Sequence, residues 1–261
     1  MFACLHINLE KEIKTDNQKF DSLITIEDIR DNIIKLTNDE PLLIKNVINN
    51  NKNTMPYIIY SKPYKNQIRI FAMTENGKLA LNSIFMNLLQ VGTLKIKNEY
   101  YKIKGIPQLD DEVSFLPYNN GRINIYTTLT PINIFNRHNM KIYSAIMKKY
   151  FPNSMKYKDG TVNQQKAFNN ELKIYVNSQI KDYMKYMLSK LIKDKNKEDF
   201  EFIDNIKIEW EELHVRYDKY HTEERVIPMI TGKFKSDFIL PKFIGYKIGK
   251  GFGELSLKTR G

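Results

Sequence analysis

The chain has 261 residues, of which 42% are hydrophobic and 12% aromatic, and its 41 Lys and Arg against 30 Asp and Glu leave a net charge of +11. That length gives one large domain or two compact ones, each with a real core, and the composition excludes a disordered or low-complexity chain. The positive excess suits a polyanionic partner, nucleic acid or a membrane surface. Only seven of the 41 basic residues are Arg, so part of the excess is the Lys, Ile and Asn bias that an AT-rich genome writes into any protein. The single cysteine, Cys4, excludes an internal disulfide and a multi-Cys zinc site and suits a reducing compartment. The start "MFACLHINLEKEIK" has no basic n-region and reaches charged residues early. The longest uncharged stretches are broken by Asn, Thr and Pro and are too short for a bilayer. A soluble cytoplasmic protein with no membrane partner is expected.

In "FACLHINL" the apolar residues Ala3, Leu5, Ile7 and Leu9 alternate with Cys4, His6 and Asn8, which predicts a strand with one buried face and His6 on the other. Thr25, with Asp28 three residues on, precedes Ile26, Ile29, Ile33 and Leu36 at helical spacing, a first helix. "NNNKN" at 49–53 reads as a loop. "PYIIYS" at 56–61 and "NQIRIFAM" at 66–73 form a hairpin around Lys62 to Lys65. Asn76 is placed to cap a second helix whose Leu81, Ile84, Phe85 and Leu88 share a face and whose stop is Gly92. "TLKIKNEYYKIKGI" then returns as strand or hairpin, and "PQLDDEVSFLPYNNG" reads as a turn-rich connector.

After the connector, "RINIYTTLTPINIF" opens a second series with a short helix near "NMKIYSAIMKKYF" and a long one over 165–193. The long helix carries an apolar stripe of Phe168, Leu172, Val176, Ile180, Met184, Met187 and Leu191. "IKIEWEELHVRY" and "RVIPMITGKFKSDFIL" pair around "DKYHTEE", and "GELSLK" is a last strand. The order strand, helix, strand, strand, helix, strand is that of a ferredoxin-like fold. The expectation is therefore an α+β chain of tandem ferredoxin-like, RAMP- or RRM-like βαββαβ domains, spanning 1–112 and 121–261. In the second, a C-terminal glycine-rich loop stands in place of a helix.

That loop holds Gly245, Gly249, Gly251 and Gly253 interleaved with Lys247, Lys250 and Phe252. Consecutive glycines let backbone N–H groups approach an anion, lysines add charge for phosphate, and Phe252 can stack on a base or plug the core. From Thr231 to Gly261 seven cations stand against two carboxylates, a net of +5. The spacing fits neither a P-loop nor a Rossmann fingerprint.

"ITGKFKSDFILPKFIGYKIGKGFGEL", with its apolar "LPKFIG" turn and closing GxGFG, resembles the C-terminal signature of the CRISPR repeat-RNA-processing endoribonucleases, the sixth Cas family of the RAMP superfamily. "LTPINIF" at 129–135 resembles the start of that family's second half. The resemblance implies cleavage of precursor CRISPR RNA within each repeat, without metal or cofactor. It implies RNA contacts from Lys247, Gly249, Lys250, Gly251, Phe252 and Gly253. Its implied partners are the repeat RNA, other Cas effector subunits and a second copy of the chain. Attack by a 2′-OH needs a base, an acid for the leaving 5′-oxygen and cations for the phosphorane charge, a task for His, Tyr and Lys. The family places a His after its first helix. Here the stretch from Leu36 to Ile58 offers Lys45, Lys52 and Tyr57 instead, and His138 follows "FNR" beside a basic stretch. These four are the catalytic candidates. A non-catalytic RAMP-type RNA-binding subunit is the alternative.

Overall fold

A computed structural model of the chain describes residues 2–13, 29, 33, 58–61, 63, 65–96, 99–113, 116–135, 137–153, 157–192, 195–219, 226–246, 248 and 252–258. These residues fall into two compact units, one built mainly on Met1–Phe115 and the other mainly on Leu116 onward. Both are mixed α and β, with antiparallel sheets. Among the described residues no helix is long and apolar enough to cross a membrane.

The first unit begins with strand β1 (Phe2–Asn8). Its period-2 pattern puts Ala3, Leu5, Ile7 and Leu9 into the core at 0% exposure. β2 (Ile58–Tyr60) and β3 (Gln67–Ala72) form the hairpin, with Lys65 at φ 52° in its turn. Helix α1 (Glu75–Val91) ends at Gly92, whose φ of 64° lets its N–H reach the Leu88 carbonyl at 2.9 Å. Its cap is Thr74, not Asn76: Thr74 is extended, and its Oγ1 accepts from the Gly77 amide at 3.1 Å. Asn76 lies one residue inside the first turn, where its side chain cannot take the cap position.

The four-stranded sheet runs β2-β3-β1-β6, with β6 spanning Gln108–Val113, every neighbouring pair antiparallel. Its fourth member is not the segment after α1. That segment makes a separate two-stranded hairpin, β4 (Thr93–Ile96) with β5 (Glu99–Lys102). The edge is β6 (Gln108–Val113), inside the stretch expected to be a connector. "QLDDEV" lacks the apolar run of an ordinary strand because an edge strand tolerates polar residues such as the exposed Asp110, and Leu109 opposite Leu5 supplies its packing. Ile29 and Ile33, both helical, join Leu81, Ile84 and Leu88 in the core at 4% exposure or less. The rest of the expected first helix lies outside the described residues.

The second unit repeats the order of the first: its sheet runs β10 (Leu255–Lys258), β7 (Asn124–Thr128), β9 (Val226–Ser236), β8 (Ile208–Lys219), again antiparallel throughout. β7 (Asn124–Thr128) leads to α2 (Arg137–Tyr150), a 3-10 turn (Tyr157–Asp159) and the 30-residue α3 (Val162–Leu191). The stripe on α3 is buried from Phe168 to Leu188, each such side chain being worth ~1.5–3 kcal/mol over exposure. Leu191, expected to continue the stripe, is half-buried. A second 3-10 helix (Lys197–Asn205) precedes β8 (Ile208–Lys219), which pairs with β9 (Val226–Ser236). Trp210 and Tyr126 pack on Phe234 at 4.6 and 5.3 Å between ring centres. A bulge between Trp210 and Glu212 shifts the phase of β8. The partly or fully buried positions are thus even before it (Ile208, Trp210) and odd after it (Leu213, Val215). β10 (Leu255–Lys258) closes the edge. Among the described residues between β9 and β10 there is no α-helix.

Candidate nucleic-acid interface

The segment leading from β9 to β10 is tied down at both ends. Ile244 donates its amide to the Gly253 carbonyl at 3.0 Å, and Phe243 bridges Glu254. The "LTPINIF" stretch forms the other side of this seam. The Leu129 amide donates to the Glu254 carbonyl at 2.8 Å, Gly253 donates to the Pro131 carbonyl at 2.9 Å, Glu254 donates to Thr130 Oγ1 at 2.8 Å, and Tyr246 donates to the Asn133 carbonyl. The two stretches that resemble one family are thus hydrogen-bonded to each other, 124 residues apart in the chain at Thr130 and Glu254.

Two of the four glycines are explained by this seam. Gly253 has φ 78°, and a Cβ there would collide with the Ile244 carbonyl oxygen; Gly245 has φ 99°, and its Cβ would stand 2.7 Å from the Asn133 carbonyl oxygen. Both positions need a residue without Cβ, for backbone geometry and for close approach alike. Lys247, Gly249, Lys250 and Gly251 lie outside the described residues, between these anchors. Phe252 is 9% exposed.

The charge of the region is less free than its composition suggests. Lys233 and Lys235 both reach Glu211 across the β8–β9 ladder, at 2.5 and 2.8 Å. Their hydrogen bonds push the Glu211 carboxyl down to about 2. Lys242 Nζ stands 3.6 Å from Oε1 of Glu254, which is 1% exposed, and donates to the Leu255 carbonyl at 2.6 Å. Lys258 on β10 is exposed. Neither carboxylate partner was evident in the sequence as one, because Glu211 and Glu254 meet their lysines only through strand register and the folded seam.

Of the catalytic candidates, Lys45, Lys52 and Tyr57 lie outside the described residues. His138 is the second residue of α2, its side chain outside those described. The structure adds a pairing that sequence spacing did not signal: His6 Nε2 lies 3.0 Å from Oδ2 of Asp110, across the β1–β6 ladder, with Arg69 opposite His6 on β3. A carboxylate so placed orients an imidazole for proton transfer. His214 on β8 is exposed, 4.0 Å from Glu212. Among the described residues no group of three or more His, Cys, Asp or Glu is placed to hold a metal ion.

No protein-family model matches the chain, and no curated protein sequence does. Solved structures do. A Cas6b crystal structure superposes with a TM-score of 0.60 at 16% identity, covering 98% of this chain and 99% of that one. Two Cas6 product complexes superpose with TM-scores of 0.51 and 0.50 at 10% and 9% identity, each covering 99% of both chains. At these identities the likeness is one of fold, and it runs the whole length of the chain: this protein has the fold of the Cas6 structures.

Proposed function

We propose that the protein is a CRISPR-associated endoribonuclease that cuts precursor CRISPR RNA within its repeats. The observation that carries this reading is the Cas6b-like fold over 98% of the chain. Further support comes from the hydrogen bonds between "LTPINIF" and the flanks of the glycine-rich segment, the two stretches that carry the sequence resemblance. In this reading a 2′-OH attacks the adjacent phosphate without a metal ion or cofactor, leaving a 2′,3′-cyclic phosphate and a free 5′-hydroxyl. The RNA is held by Lys247, Gly249, Lys250, Gly251, Phe252 and Gly253. Proton transfer falls to Lys45, Lys52, Tyr57 or His138, and His6 joins them because Asp110 orients its ring.

Both halves are read as ferredoxin-like domains, over 1–112 and 121–261. The support is the shared sheet order, with the first strand of each half between the third and the last. A cytoplasmic location and association with other Cas subunits or a second copy belong to the same reading.

The test is purified protein mixed with repeat RNA in EDTA. One cut per repeat with a cyclic phosphate end is the expected result, and intact RNA under conditions of tight binding overturns the enzymatic claim. That second outcome is what a non-catalytic RAMP-type subunit predicts, a reading favoured by the lack of His between Leu36 and Ile58.

A further inference from the structure

Within the second unit, α2, the 3-10 turn Tyr157–Asp159, α3 and β8 line a solvent-open cavity of about 990 Å³. Its floor is aromatic and apolar: Tyr143, Met147, Phe168 and Leu172 are each 5% exposed or less. Its rim is polar, from Tyr157, Asp159, Asn169, His214 and Tyr217. The bulge in β8 makes this possible, since the phase shift after Trp210 carries Val215 and Tyr217 to the side facing α2. There the Tyr217 and Tyr143 hydroxyls, both on the cavity lining, share a hydrogen bond of 2.6 Å.

The rim is built rather than loose. The Tyr157 ring rests against Phe151 and Phe168 at 5.8 and 5.7 Å, and its hydroxyl accepts from Asn169 Nδ2 at 2.9 Å. Asp159, two residues on, makes no hydrogen bond or ion pair to another described residue, and it lines the cavity. Flat rings below, a fixed Tyr at the side and an acceptor-only carboxylate at the edge fit a planar heteroaromatic group that carries donors.

Resting on the RNA function proposed above, we infer that this cavity takes the base of an unpaired RNA nucleotide and prefers guanine. Unpaired bases are recognised by stacking on aromatic side chains and by hydrogen bonds along their Watson–Crick edges. A carboxylate accepts two hydrogen bonds side by side. Guanine alone among the four bases offers adjacent donors on that edge, N1–H and the N2 amine. Adenine sets an acceptor beside its amine, as cytosine does, and uracil has a single imide donor between two acceptors.

The experiment measures binding of the full-length protein to five-nucleotide RNAs of uridine with a central guanosine, inosine or adenosine, alongside binding of the full repeat RNA. Inosine keeps N1–H and lacks the N2 amine. The guanosine oligonucleotide should bind about tenfold more tightly than either of the others, and Asp159→Asn should bring all three within about twofold. Tyr157→Ala should weaken all three alike. Equal affinities for the three in the native protein, or a guanosine preference that survives Asp159→Asn, overturn the inference. If the repeat RNA still binds in that case, the RNA function stands and only the pocket assignment falls; if the repeat RNA is not bound at all, both fall.

Discussion

Lys242 and Glu254 face each other across the neck of the glycine-rich segment, with the carboxylate 1% exposed and the ammonium 3.6 Å away. The same ammonium donates to the Leu255 carbonyl, so one side chain stitches the incoming strand to the outgoing one. A buried carboxylate that loses its ammonium keeps its desolvation cost with less to offset it, whereas removing both charges leaves much less behind. Lys242→Met should therefore lower stability by roughly 2–3 kcal/mol, and Glu254→Gln in the same chain should restore a good part of it. Urea denaturation of both variants checks this. Equal stabilities for Lys242→Met and the native chain would show the pair to be inert.

The seam predicts a contrast between two glycines with positive φ. At Gly92, φ is 64° and a Cβ would meet nothing within 4 Å, so Gly92→Ala should cost only the left-handed backbone strain, ~1 kcal/mol. At Gly253, φ is 78° and the Cβ would run into the Ile244 carbonyl oxygen, so Gly253→Ala should cost clearly more, at least ~2 kcal/mol. Repeat-RNA affinity should follow: reduced for Gly253→Ala and unchanged for Gly92→Ala. Denaturation midpoints and RNA titrations of the two variants read both effects.

Glu211 predicts an acid-side stability effect. Its carboxyl sits at about 2 in the folded protein against an ordinary 4.5, through the Lys233 and Lys235 ammonium groups. Over that interval the unfolded chain binds the proton that the folded one does not. The stabilisation is complete above about 4.5 and is lost as the pH falls toward 2. Glu211→Gln should flatten this part of the profile, and added salt should shrink the difference, since the carboxylate is solvent-exposed. A profile of thermal midpoints between pH 2 and 6 that is the same for both proteins would contradict it.

Much of the fold was legible because the apolar pattern and the geometry coincide. Leu5, Ile7 and Leu9 alternate and are buried; Phe168 to Met187 recur at helical spacing and are buried. Gly92 stands where a helix stop needs positive φ. What escaped depends on the tertiary structure. β6 is a strand because β1 needs a partner at its edge, and its carboxylates hide that from any hydrophobicity pattern. The bulge in β8 reverses which side chains face α2, and no local residue announces it.

At the candidate site the same division holds. The flanking glycines were visible as an excess, and Gly245 and Gly253 turn out to be required by the carbonyls they pass. The ion pairs that absorb Lys233, Lys235 and Lys242 were not visible, since Glu211 reaches its lysines only across the β8–β9 ladder and Glu254 only through the fold of the segment.

In the proposed reaction RNA is cut by its own 2′-hydroxyl. The most direct measurement is cleavage, in EDTA, of a repeat RNA carrying a single 2′-deoxy nucleotide immediately 5′ of the cut site, compared with the all-ribose RNA. The expected result is one cut in the ribose RNA, no cut in the deoxy RNA and the same affinity for both. Cleavage of the deoxy RNA at the same bond, or an intact ribose RNA held tightly by the protein, would contradict it.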